Sequence, residues 1–224
     1  ELQFSAVTFL PDDGKAYLAY RGTDDTLVGW KENFNMSFLS PVGAQREALA
    51  YLERVAPHLP DRFYLGGHSK GGNLSVYAAA HAAPEVQQRL LAVCSFDGPG
   101  LDDATMVSDG YAAIARRIRS FVPQSSVVGL LLTYHPEYTV VRSKAISLLQ
   151  HDPFTSRVEK GAFVPVKKLT ANACYVDSTL SAWLEQMSVE ERERVVDSLF
   201  SIFSTNDITD FEQLDYIGYG VYSM

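Results

Sequence analysis

A glycine-rich turn between a short apolar strand and a helix constrains this chain more than any other feature. The strand spans Arg62 to Gly66, the turn spans Gly67 to Gly72, and the alanine-rich helix spans Asn73 to Ala83. Pro84 then stops the helix, because proline lacks the N–H that a helix interior needs. An apolar strand followed by a tight turn and a helix is one unit of a parallel sheet, so the sequence predicts an α/β protein.

The elements on either side of this unit continue the alternation. Leu2 to Leu10 and Ala16 to Tyr20, separated by a Pro-Asp-Asp-Gly turn, predict a β-hairpin or meander that enters the sheet. Further predicted elements are a helix at Pro41 to His58, strands at Leu90 to Phe96, Ile118 to Val122 and Tyr138 to Val141, a helix near Asp109, and two late helices, Leu180 to Met187 and Val189 to Phe203. We therefore expect a mostly parallel central sheet flanked by helices.

Size and composition fit one compact domain. The chain has 224 residues, of which 46% are hydrophobic, enough for a single core, so we expect one domain over residues 1–224 with a helical part from about residue 178. The formal net charge of −8 argues against a nucleic-acid partner, which would need a concentrated basic surface. The oligomeric state is left open.

Membrane and compartment signals are weak. The sequence has no apolar run long enough for a transmembrane helix and no signal-peptide pattern at its start. The two cysteines, Cys94 and Cys174, do not suggest a disulfide framework, and Cys94 lies in an apolar run typical of a buried free thiol. We expect a reducing, cytoplasmic location, and no metal or cofactor.

The turn carries the pattern Gly67-x-Ser69-x-Gly71, which is that of a nucleophile elbow. In such an elbow the serine occupies a strained strand-to-helix turn, and the neighbouring glycines avoid collisions with nearby backbone. The alternative is a structural turn with an incidental serine. The flanking strand and helix favour the nucleophile, so Ser69 is the leading catalytic candidate.

Several motifs together resemble the class 3 (fungal-type) lipases and a lipase-like bacterial family of unknown function. The resemblance covers roughly Phe4 to Pro153 and includes Ala19 to Thr23, Gly29 to Asn33, Gly67 to Gly72, Phe96 to Gly100 and Gln150 to Pro153. It implies an α/β-hydrolase fold and ester hydrolysis. If Glu1 is a truncated start, strands that precede Leu2 in a full hydrolase would be missing.

The same resemblance implies an oxyanion hole. The backbone N–H groups of Thr23 and Lys70 would be its two donors, and such donors stabilise a transition state by several kcal/mol. A turn-forming hydroxyl remains an alternative for Thr23. A solvated side chain is the default for Lys70, although it could instead favour an anionic substrate or hold a carboxylate in the fold. Asn33 stands where related sequences tend to have an acidic residue.

A serine nucleophile needs an imidazole base, and the chain has five histidines. His58, His68 and His81 precede or crowd the nucleophile, and His68 is expected to point away from it. α/β-Hydrolases place the base late in the chain, which leaves His135 and His151. His151, in the Gln150 to Pro153 motif, is favoured, and His135 is interpreted as a surface turn residue.

The third member of the triad is less clearly marked. Class 3 lipases would carry the acid near Val122 to Ser126, where this chain has no carboxylate. Asp97, directly after a predicted strand, can reach the same imidazole because the carboxyl ends of parallel strands meet at one edge of the sheet. A turn residue is the alternative. Asp152 is expected to order the loop around His151.

The sequence therefore predicts a serine hydrolase that cleaves a small-molecule or lipid acyl ester through an acyl-enzyme on Ser69. Two other functions stay open. The missing acid at the usual strand would suit a catalytically silent α/β-hydrolase module used for binding. The late helices could instead dock a partner protein, although apolar stripes on helices are more often core.

Overall fold

The computed structural model describes residues 2–24, 27–36, 39–130 and 137–205. The strands are β1 Ala6–Phe9, β2 Ala16–Tyr20, β3 Phe63–His68, β4 Leu90–Phe96, β5 Ile118–Pro123, β6 Tyr138–Val141, β7 Val158–Glu159 and β8 Ala162–Phe163. The helices are α1 Leu27–Asn35, α2 Gly43–Val55, α3 Lys70–His81, α4 Pro84–Arg89, α5 Asp103–Met106, α6 Asp109–Ile114, α7 Ala171–Glu185 and α8 Val189–Thr205.

A six-stranded sheet in the order β1-β2-β3-β4-β5-β6 forms the centre of the protein. β1 and β2 make the predicted antiparallel hairpin, and every later pair in this sheet is parallel. The expected mostly parallel sheet flanked by helices is therefore confirmed. Because β2 to β5 run in the same direction, the loops that follow them lie along one edge.

The core lies between this sheet and the helices that connect its strands. α3 contacts β2, β3, β4, α2 and α6, and all of its residues from Lys70 to Ala80 are buried. Leu65 and Val93 of the sheet and Leu74 of α3 are fully buried. The alanines of α3 allow this close packing, since a small side chain brings the helix axis near the strands.

The last of the described helices, α8, contacts α1. The helical part predicted from about residue 178 begins earlier, at Ala171. α8 starts with the predicted capping pair, in which the N–H of Glu191 donates to Ser188 Oγ and the N–H of Ser188 donates to Glu191 Oε2. α8 then packs against α1, a helix that the sequence did not predict.

Both cysteines are free thiols, Cys94 half-buried and Cys174 exposed. Burial raises the pKa of the Cys94 thiol, which keeps it protonated and unreactive. Within the described residues, no helix combines the length and the apolar character needed to cross a bilayer.

Candidate active site

Ser69 occupies a strained position directly after β3. Its φ of 57° lies in the left-handed region, which costs a non-glycine residue about 1–3 kcal/mol. The backbone around it is tightly packed, because a Cβ on Gly67 would come within 2.4 Å of the Gly71 backbone. A Cβ on Gly71 would lie 2.1 Å from the Tyr20 carbonyl oxygen. The glycines of the elbow are therefore required by space.

His151 lies within hydrogen-bonding distance of both Ser69 and Asp97. Its Nε2 is 2.9 Å from Ser69 Oγ, and its Nδ1 is 2.7 Å from Asp97 Oδ2. With Nδ1–H donating to the carboxylate, Nε2 is free to accept the serine proton. The His151 side chain is 25% exposed, so the imidazole borders solvent while its partner carboxylate is buried.

Asp97 is held by the loop that follows β5. It also has a positive φ, of 50°, and its N–H donates to the Phe121 carbonyl oxygen at 2.8 Å. Its Oδ1 accepts a short hydrogen bond from the Ser126 hydroxyl and another from the Gly129 N–H at 3.2 Å. The carboxylate thus has a fixed orientation, with Oδ2 directed at His151. Ser126, which the sequence did not identify, lies in the stretch where class 3 lipases would carry the acid.

His68 was expected to point away from the nucleophile, and that expectation is wrong. Its ring lies 4.6 Å from the His151 ring, measured between centroids, and its Nε2 is 2.7 Å from the His151 carbonyl oxygen. The carbonyl can only accept, so Nε2 carries a proton. Burial, together with the nearby His151, lowers the pKa of His68 and favours its neutral form.

Lys70 is buried, which contradicts the default expectation of a solvated lysine. Its ammonium lies 3.0 Å from Glu32 Oε2 and 2.9 Å from the Gln3 carbonyl oxygen, and its side chain is 0% exposed. Burial lowers the pKa of Lys70, and the hydrogen bond and charge of Glu32 oppose that shift. Glu32 Oε1 also accepts from the Ala44 N–H at 2.8 Å, so one carboxylate connects α1, the start of α2 and the elbow.

The loop after β2 lies beside the nucleophile. A Cβ on Gly22 would be 3.3 Å from Ser69 Cβ and 2.8 Å from the His68 carbonyl oxygen, so only glycine allows this approach. The next residue, Thr23, accepts a short hydrogen bond from Asn33 Nδ2 of α1. Asn33 Oδ1 is buried without a hydrogen-bond partner.

Two other histidines of the described residues belong to different surroundings. His58 is exposed at the end of the second helical segment, and His81 Nε2 lies 3.2 Å from the Thr105 hydroxyl. His135 lies outside the described residues. Asp152 accepts from the Phe154 N–H at 2.9 Å and so orders the loop after His151, as expected.

Comparisons with known proteins give one family match. A family model described as Mbeg1-like matches residues 1–201. No curated protein matches the sequence significantly.

Several solved structures are similar at low identity. A fungal lipase–inhibitor complex is 15% identical with a TM-score of 0.43, covering 62% of this chain and 61% of that chain. M37 lipase is 14% identical with a TM-score of 0.41, covering 80% and 59%. A lipase-esterase related protein from Clostridium acetobutylicum is 10% identical with a TM-score of 0.37, covering 80% and 98%. The chain therefore spans 61% and 59% of the length of the first two.

Proposed function

The chain belongs to the Mbeg1-like family, and we propose that it is a serine hydrolase of the α/β-hydrolase type that cleaves acyl esters. One observation carries this proposal: Ser69 Oγ, the His151 ring and the Asp97 carboxylate form a continuous hydrogen-bonded chain, with distances of 2.9 and 2.7 Å. A nucleophile, a base and a group that orients the base are the parts that acyl transfer needs.

The reaction would proceed in two halves. Ser69 Oγ attacks the ester carbonyl carbon while His151 Nε2 takes its proton, and Asp97 stabilises the imidazolium through Nδ1–H. The tetrahedral intermediate collapses to an acyl-enzyme, and His151 gives the proton to the departing alcohol. Water then attacks the acyl carbonyl carbon while His151 accepts its proton. The bond between the acyl carbon and Ser69 Oγ breaks, and His151 returns the proton to Ser69 Oγ as the acid product leaves.

The oxyanion would be held by backbone N–H groups next to Ser69. Lys70 is the first residue of α3, so its N–H is one of the four that have no partner within a helix. The buried ion pair to Glu32 fixes Lys70 at that position. The Gly22 contact brings the Thr23 loop to the other side of the nucleophile. Two preorganised donors are worth several kcal/mol of barrier.

A catalytically silent module is less well supported than an enzyme. That alternative was based on the lack of a carboxylate after the predicted strand Ile118 to Val122, which corresponds to β5. Asp97 reaches His151 from the preceding strand end, and Ser126 and Gly129 orient it from the usual position. The substrate class, a small-molecule or lipid acyl ester, remains part of the proposal.

Labelling with a fluorophosphonate probe tests the nucleophile. We expect wild-type protein to be labelled and Ser69→Ala to remain unlabelled. Equal labelling of both would refute the assignment.

Turnover of p-nitrophenyl esters with short and long acyl chains tests the base and the acid. His151→Ala should lower kcat by about 10⁴- to 10⁶-fold and Asp97→Asn by about 10³- to 10⁴-fold. His58→Ala is a matched control at an exposed histidine and should leave turnover unchanged. Normal turnover in His151→Ala would refute the proposed base.

A further inference from the structure

The loop that carries His151 presents large apolar side chains to solvent. Ile146, Leu149 and Phe154 are 75%, 69% and 93% exposed, and we refer to these three as the apolar rim. Backbone hydrogen bonds between residues 142–144 and 155–157 close the loop at its base. An exposed cluster of large apolar side chains on an ordered loop is typical of an interaction surface.

The turn after His151 fixes the most exposed member of the rim. Asp152 Oδ1 accepts the Phe154 N–H at 2.9 Å, and the Asp152 carbonyl accepts the Thr155 hydroxyl at 2.7 Å. These bonds close a short helical turn at Pro153–Thr155 and hold the backbone that carries Phe154. The ring is 93% exposed although the backbone beneath it is ordered.

The same part of the chain has a charge opposite to that of the protein as a whole. Residues 142–160 contain four lysines and arginines and two acidic residues, in a chain with a net charge of −8. The four basic residues are all exposed: Arg142, Lys144, Arg157 and Lys160. One of them, Arg157, pairs with Glu159 at 2.7 Å, and the other acidic residue, Asp152, caps the turn described above. We refer to residues 142–160 as the basic segment.

We propose that the apolar rim and the basic segment together dock this protein onto an anionic phospholipid bilayer. A bilayer with anionic headgroups offers a negatively charged surface for the basic segment and an apolar interior for the apolar rim. Lysine and arginine side chains are attracted to the negative surface, and the apolar side chains enter the boundary between headgroups and acyl chains. A second copy of the chain would instead bring two positively charged segments together, which costs free energy.

The position of this surface relates it to the proposed active site. His151 belongs to the same loop as Leu149 and Phe154, and its side chain is 25% exposed. A bilayer lying against the rim would therefore border the opening through which an acyl chain reaches Ser69. Docking itself needs no catalysis, so it can be measured in a Ser69→Ala variant, and it stands or falls independently of ester hydrolysis.

Co-sedimentation with vesicles tests the proposal directly. The 224-residue Ser69→Ala chain is mixed with phosphatidylcholine vesicles that either contain or lack phosphatidylglycerol. We expect the partition coefficient to be at least about ten-fold higher with phosphatidylglycerol and to fall at high salt, because salt screens exposed charges. Equal partitioning into both kinds of vesicle would overturn the proposal.

Two variants separate the contributions of the surface. Leu149→Ser combined with Phe154→Ser should weaken partitioning by at least about ten-fold, since each removes apolar area from the bilayer. Lys144→Gln combined with Lys160→Gln should weaken it by about 25-fold, at roughly five-fold for each charge near an anionic surface.

Matched controls lie away from the segment. Val107→Ser removes an apolar side chain that is 83% exposed near α5, and Arg62→Gln removes an exposed charge before β3. Both should bind as the parent does, and a loss equal to that of the rim variants would overturn the proposal. Size-exclusion chromatography supplies the last test: a dimer that Phe154→Ser converts to monomer would assign the rim to self-association instead.

Discussion

Replacing Glu32 with glutamine should destabilise the protein because it leaves a buried ammonium without its counter-charge. Lys70 Nζ and Glu32 Oε2 are 3.0 Å apart, and their side chains are 0% and 7% exposed. At this separation the attraction is about 5 kcal/mol for an effective dielectric constant near 20. Removal of one partner from a buried pair typically costs about 3–5 kcal/mol. We expect Glu32→Gln to lower the free energy of unfolding by that amount.

Urea denaturation followed by circular dichroism measures the change. For a domain of this size the corresponding fall in Tm is about 6–20 °C. Lys70→Met should be destabilising to a similar degree, whereas the double variant should be far more stable than the sum of the single changes predicts. A control on α8, the helix that packs against α1, is Asp197→Asn, which breaks the exposed pair between Lys31 of α1 and Asp197 and should change stability by no more than about 1 kcal/mol.

The penalty in Glu32→Gln should also depend on pH. The pKa of Lys70 is already lowered by burial, and loss of Glu32 removes the effects that oppose this shift. A group whose pKa is lower in the folded state than in the unfolded state contributes its full stability above the unfolded pKa, which is 10.5 for lysine. This contribution is lost as pH falls from that value through the pKa of the folded state. The deficit relative to wild type should therefore shrink as pH rises toward 10.5. A deficit below about 1 kcal/mol at neutral pH, or strictly additive single changes, would refute the buried-pair argument.

The remaining predictions concern three residues of the site. Ser126→Ala removes a hydrogen bond to the Asp97 carboxylate, worth about 1.5–3 kcal/mol, and should lower kcat about ten-fold or more with little change in KM. A rise in KM by the same factor as the fall in kcat would contradict an orienting role. His68→Phe should lower kcat by roughly 3- to 10-fold because the His151 carbonyl loses its donor, and His68→Asn should recover part of that loss. The lowered pKa of His68 means that its neutral form favours folding, so as pH falls below 6.5 wild-type stability should decrease more steeply than that of His68→Asn in acid titrations. Gly71→Ala places a Cβ 2.1 Å from a backbone oxygen of the neighbouring strand and should yield unfolded protein, as judged by circular dichroism.

Most of the sheet could be predicted because its signals are local. Residues 90–96 were predicted as a strand from their continuous apolar run, and β4 has these same bounds. The elbow was visible because glycine spacing, a preceding strand and a following helix all occur within residues 62–84. α1 was missed because its nine residues carry little amphipathic pattern. The position of α1 depends on the ion pair between Glu32 and Lys70, two residues that are far apart in the sequence.

The partners of the nucleophile were harder to predict than the nucleophile itself. His151 and Asp97 are 54 residues apart in the chain, so their 2.7 Å contact depends on tertiary structure. His68 was discounted because it is adjacent to Ser69, yet it binds the base through a backbone carbonyl, which no side-chain motif reveals. The sequence signal for Ser126 was that its stretch, Val122 to Ser126, contains no carboxylate. A hydroxyl from that stretch could then contact an acid carried by another strand end.

The position of the acid follows from how the strand ends are joined. Ser69 directly follows β3, Asp97 directly follows β4 and Gln124 directly follows β5, and the N–H of each donates to a carbonyl oxygen of the next strand along the sheet. Ser69 and Asp97 both have positive φ, so two neighbouring strand ends turn in a related way and direct their side chains into the same space. An acid after β5 is not required, because Ser126 in the loop after β5 donates a hydrogen bond to the carboxylate of Asp97, which follows β4. The register of β3, β4 and β5 therefore determines whether His151 meets its acid, and a one-residue slip would separate them.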